Sequence, residues 1–126
     1  MSRDVISTEH APGAIGPYSQ AILAEGKMLF LSGQIPLKPD GSLVTGEVKD
    51  QTAQSLNNLK AVLDAAGLNL GHVVKTTIFL SSMDHFAAVN EVYATYFHTD
   101  PPARSTVAVA GLPRGVDVEI EAIAVY

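Results

Sequence analysis

Arg104 and Glu119 are the residues of this chain best suited to act on a small polar molecule. Arg104 opens an otherwise apolar stretch in PPARSTV. A guanidinium grips a small carboxylate through two parallel charge-assisted hydrogen bonds. A salt bridge to an acid on a neighbouring strand would satisfy the same residue equally well. Glu119 and Glu121 share one face of the closing segment VDVEIEAIAVY, opposite Val116, Val118, Ile120, Ala122 and Ala124. A carboxylate on a partly desolvated face holds its proton to higher pH, which suits it to proton transfer near neutrality. The alternatives are a solvated pair at a sheet edge, or partners for Arg104 and Arg114.

Three further residues break the pattern of their surroundings. Asn90 falls inside the apolar stripe of a predicted helix, where a buried amide without partners costs roughly 1–3 kcal/mol. It either holds a neighbouring loop by its backbone or forms part of a pocket wall. Tyr18 ends the rigid turn AIGP, as a packing residue or as a lid over a small pocket. Gly33, in LSGQIP, interrupts a strand pattern, which marks a bulge or a place where a ligand approaches the backbone. Other chemistries lack their signals. His10, His72, His85 and His98 have no metal-ligand spacing, and there is no cysteine. Neither a glycine-rich nucleotide loop nor a GxSxG serine is present.

These residues must be positioned by a small number of elements. Ile22 to Glu25 and Met28 to Ser32 read as a β-hairpin about Gly26-Lys27. Ala53, Leu56, Leu59, Val62 (with Leu63) and Ala66 recur at helical spacing, and Gly67 stops that helix. His72 to Leu80 is β-branched and strand-like. Phe86, Val89, Tyr93 and Phe97 form the stripe of a second helix, with Ser82 as N-cap and Pro101-Pro102 forbidding continuation. Ala103 to Ala110 and Val116 to Tyr126 complete the set. The order ββαβαββ predicts an α+β fold, a mixed or antiparallel sheet with two helices on one face. Met28 and Phe30 alternate with Leu29 and Leu31, and Ile78 and Leu80 with Val73 and Phe79. Both faces of the sheet are therefore apolar, and the face without helices calls for a partner.

Composition sets the outer limits. At 126 residues the chain is one domain, residues 1–126, large enough for its own core. Eight basic residues against 13 acidic ones give a net charge of −5, the wrong sign for a nucleic-acid surface. No apolar run approaches the ~20 residues of a membrane span, and the N-terminus has no signal-like segment, so the expectation is a soluble, cytoplasmic protein. Charged residues make up 17% of the chain, against about 25% typically, in keeping with a surface partly covered by another subunit.

The order of these blocks has a family likeness. PPARSTVAVAGLPRGVDVEIEAIAV closely resembles the C-terminal signature of the YjgF/RidA family of enamine/imine deaminases. APGAIGPYSQA, LSGQIP, QSLNNLKAVLDAAG, VVKTTIFL and FAAVNEVYATYF resemble it too, so the likeness spans almost the whole chain. The resemblance implies a homotrimer of chorismate-mutase-like subunits with a pocket at each interface. It further implies hydrolysis of 2-iminobutanoate and 2-iminopropanoate to 2-oxo acids and ammonia, without a cofactor or metal. On this reading Arg104 matches the arginine that binds the substrate carboxylate, and Glu119 the glutamate that holds the attacking water. Tyr18 and Asn90 match pocket residues, with Tyr18 closing the pocket from a neighbouring chain. Ser32 and Gly33 match the strand beside the ligand. Thr106 stands where many relatives have cysteine, at a contact attributed to the main chain. Arg104 and Glu119 are thus expected to share one cavity that a second chain helps to wall.

Three other readings compete. A trimer that binds small oxo or amino acids without turning them over would use the same clamp. An endoribonuclease is disfavoured by the charge. A chorismate mutase, suggested by fold alone, would need more cations than one arginine for its dicarboxylate.

Overall fold

The computed structural model describes residues 2–126. Six strands and two helices follow the order β1 (Ser2–Ile6), β2 (Ala21–Glu25), β3 (Met28–Gln34), α1 (Val48–Ala65), β4 (Val73–Leu80), α2 (Phe86–Tyr96), β5 (Ala103–Ala108) and β6 (Val118–Val125). The predicted elements all form, and β1 precedes them.

The predicted hairpin does not form as a pair. β2 pairs antiparallel with β1, whereas β3 pairs antiparallel with β6 in a separate four-stranded sheet of order β3-β6-β4-β5. The Gly26-Lys27 turn is real, but Lys27 exchanges two 2.8 Å backbone hydrogen bonds with Tyr126 from the far end of the chain. Nonlocal pairing overrode the local turn signal.

The sheet is mixed: β6 runs antiparallel to both β3 and β4, while β4 and β5 are parallel. Parallel neighbours require a crossover, and α1 and α2 provide the two here. Passing from β3 to β4 and from β4 to β5, the chain steps in the same direction across the sheet. Crossovers of one hand taken in one direction place both helices on the same face. The core lies there, with Leu56, Leu59 and Leu63 of α1, Val89 and Tyr93 of α2, and Leu31, Ile78, Leu80, Val118 and Ile120 of the sheet all buried. On α1 the buried stripe runs through Thr52, Ser55, Leu56, Leu59 and Leu63, which leaves Val62 in water. The helix ends as expected before Gly67, whose φ of +76° suits a residue without a Cβ.

The opposite face carries no helix. Phe30 is 68% exposed and Met28 57% on β3, and Val107 is exposed on the same face at the opposite edge of the sheet. Val73, expected on this face with Phe79, is instead buried in the core. A register shift between Val73 and Lys75 turns it over.

Candidate functional site

Arg104 lies on β5, the edge strand, directly beside Thr76 of β4 in the parallel ladder. Thr76 is fully buried under α2, so Arg104 points to the helix side. Its guanidinium Nη1 donates a 2.7 Å hydrogen bond to Asn90 Oδ1. Three aromatic rings surround it, with centroids 5.1 Å (Tyr93), 5.2 Å (Tyr18) and 5.8 Å (Phe86) from Cζ. Burial lowers the pKa of this guanidinium, and the neighbouring tyrosines act in the opposite sense. Among the described residues it makes no ion pair; the salt bridges are Lys49 with Glu91 and a longer contact of His85 with Asp117. The alternative reading of Arg104, a structural bridge to a strand acid, therefore does not hold in this chain.

Local chemistry explains how Tyr18 arrives. Ser19 donates its backbone N–H to Pro102 O and its hydroxyl to Pro101 O, and bridges Ala103. That seam ties the AIGPY turn to the segment that launches β5. Gly16 lies against both the Tyr18 ring and Arg104 Nη2, where an added Cβ would sit at 3.7 Å. Tyr18 was expected to close the pocket from a neighbouring chain; here its ring packs on the arginine of its own chain. Asn90 likewise turns out to orient the arginine, instead of holding a loop. Thr106, two residues along β5, is half-buried, and its Oγ1 has no hydrogen-bond partner among the described residues.

Glu119 is elsewhere. It pairs with Phe79 on β4, three residues from Thr76. An odd offset along a strand reverses the face, so Glu119 projects from the helix-free side, away from Arg104. Its carboxylate lies over Gly33. The register between β3 and β6 shifts between Leu31 and Gln34, so Ser32 and Gly33 form a β-bulge. A Cβ on Gly33 would collide with Glu119 Oε2 and come within 2.9 Å of the carboxyl carbon. The glycine was expected to admit a close approach; what approaches it is this carboxylate. Glu121 is exposed and pairs with Thr77.

One chain thus holds two half-sites: Arg104, Asn90, Tyr18 and Thr106 on the helix side at the β5 edge, and Glu119, Gly33 and Ser32 on the bare face. The expected common cavity does not exist within a single chain. Sequence reasoning assigned Phe86 and Tyr93 to the core stripe, where Tyr93 is indeed buried and Phe86 packs against the core. It missed that the same rings face the Arg104 guanidinium, because helical spacing does not show what lies beyond the stripe.

A family profile described as Endoribonuclease L-PSP, which covers the YjgF/RidA proteins, matches residues 8–126. The chain belongs to this family. It is 57% identical over 127 residues to Protein DfrA of Myxococcus xanthus, covering 99% of this chain and 97% of that one. It is 52% identical over 124 residues to the 2-iminobutanoate/2-iminopropanoate deaminase of Mus musculus, covering 98% and 91%. Among solved structures, Escherichia coli TdcF with bound serine matches at 46% identity and a TM-score of 0.75, covering 98% of each chain. The structural match shows that TdcF shares this α+β fold, and several of the relatives carry deaminase names.

Proposed function

We propose that this protein is a deaminase of small 2-imino acids, hydrolysing 2-iminobutanoate and 2-iminopropanoate, with their enamine tautomers, to the 2-oxo acids and ammonia. The observation that carries the reading is the half-buried guanidinium of Arg104, oriented by Asn90 and not neutralised by any carboxylate of the described chain. Such a group is a receptor for a small anion. The deaminase names of relatives at about half identity supply the reaction class.

In this mechanism Arg104 clamps the substrate carboxylate and so fixes C2. Glu119 accepts a proton from water as the water oxygen bonds to C2 and the C=N π-electrons pass to nitrogen. Glu119 returns that proton to nitrogen to give the neutral carbinolamine. It then takes the hydroxyl proton and passes it to the amino nitrogen as the C=O bond forms, the C–N bond breaks and ammonia leaves. The unpartnered Thr106 hydroxyl and the free backbone edge of β5 offer further polar contacts beside the clamp.

Because the two half-sites face opposite sides of one sheet, the working site takes Arg104 from one subunit and Glu119 from another, in a homotrimer assembled through the bare apolar face. Arg104→Ala should abolish ammonia release from freshly generated 2-iminobutanoate while leaving the oligomer intact, and Glu119→Gln should do likewise. Mixing the two inactive proteins under subunit exchange should restore about a quarter of the wild-type activity, since half the chains supply each intact half-site. Silence from the mixture would refute the two-chain site, and unchanged rates in Arg104→Ala would refute the clamp.

TdcF with bound serine favours one second reading, a trimer that binds amino or oxo acids without turnover. A wild-type protein that binds 2-oxobutanoate yet adds nothing to spontaneous imine hydrolysis would establish it. The endoribonuclease description of the family finds no support in a chain of net charge −5.

A further inference from the structure

Behind the arginine lies a polar contact with no place in the mechanism above. Thr76 and Tyr93 are both fully buried, and their hydroxyls are 2.7 Å apart. Thr76 stands beside Arg104 in the β4–β5 ladder, and the Tyr93 ring is the nearest of the three around its guanidinium. Tyr93 follows Asn90 by three positions on α2, so one helical turn supplies both the acceptor for Nη1 and the aromatic face. Phe97 packs on Tyr93 with centroids 4.7 Å apart, so the ring is backed by a second one.

A guanidinium taken partly out of water ordinarily keeps a carboxylate beside it. A counter-ion here would compete with a substrate anion. Aromatic faces attract a cation through their quadrupole without occupying its hydrogen-bond donors. Asn90 similarly accepts a hydrogen bond without adding charge.

We propose that Tyr93 and Thr76 are positioning residues for Arg104: their buried hydroxyl pair pins an aromatic face against the guanidinium, which replaces a counter-ion and leaves the positive charge free for a carboxylate ligand. The inference rests on the reading of Arg104 as a carboxylate clamp. Burial raises the Tyr93 pKa to about 12, so the phenol keeps its proton throughout the physiological range.

The test is binding of the product-like anion 2-oxobutanoate, measured by titration calorimetry, which does not depend on turnover. Tyr93→Phe/Thr76→Val removes both hydroxyls while preserving volume and leaving no orphaned partner, so the fold should survive with a melting temperature near wild type. Its Kd should rise roughly three- to fivefold, and that of Tyr93→Leu, which lacks the aromatic face, by about tenfold or more. In turnover, the same variants should raise KM with little change in kcat, because they act on ground-state and transition-state anchoring alike. Wild-type Kd in the folded double variant overturns the positioning role and leaves the clamp standing. Binding to wild-type protein that survives Arg104→Ala overturns the clamp, and the inference with it.

Discussion

At the scale of residues, the arginine cluster shows how neutral groups manage a charge. Arg104 is oriented by an amide and faced by rings, and it pairs with no acid among the described residues. The same environment makes Tyr93 report on folding. Its pKa is raised from 10.0 to about 12, mainly by desolvation and against the opposing pull of Thr76 and Arg104. Folding therefore favours the protonated phenol, and between these values the native state binds more protons than the unfolded one. The contribution is complete below pH 10 and is lost as pH rises toward 12, by up to about 3 kcal/mol. Urea denaturation of the wild type should show this loss between about pH 10 and 12, to the extent that Tyr93 dominates there. Tyr93→Phe should show a distinctly shallower decline, and parallel curves would contradict the assignment.

At the scale of elements, the bulge in β3 does for Glu119 what α2 does for Arg104. It turns Gly33 toward β6 and leaves a gap that the Glu119 carboxylate occupies. Gly33→Ala would fill that gap. The clash falls on the end of a flexible side chain, and alanine gains roughly 0.5–1 kcal/mol over glycine from backbone entropy in a strand. Stability should therefore change little, within a few degrees in Tm. Imine turnover should fall by tenfold or more, because the carboxylate is displaced from its place against the bulge. A thermal melt beside an activity assay separates the two effects. Equal activity would show that the carboxylate position is not critical.

At the scale of the whole molecule, two helices serve one face of a four-stranded sheet, and the other face exposes Met28, Phe30 and Val107. Large apolar side chains left exposed on a helix-free sheet face suit burial against another subunit. Phe30→Lys should release 13.3 kDa monomers, visible by light scattering, while the wild type is expected to run near three times that mass. Activity should fall with assembly even though residue 30 belongs to neither half-site. A monomeric variant with full turnover would disprove the shared site. No helix in the described residues is long and apolar enough to cross a membrane.

The sequence alone determined what depends on near neighbours. The alternation of Val118, Ile120, Ala122 and Ala124 marks a strand, the α2 stripe a helix, and the glycine in LSGQIP a bulge, because side-chain period and backbone sterics act within a few residues. The likeness of its motifs also pointed to the family. Tertiary structure decided which strands meet, and in what register. It sent β3 to β6 instead of β2, flipped Val73 into the core, and placed β4 between β5 and β6. That last step separates Arg104 from Glu119. Two residues on different strands share a face only if their partners on the strand between them are an even number apart, and here they are Thr76 and Phe79. Register between distant strands arises from packing over the whole sheet, and no window of sequence contains it.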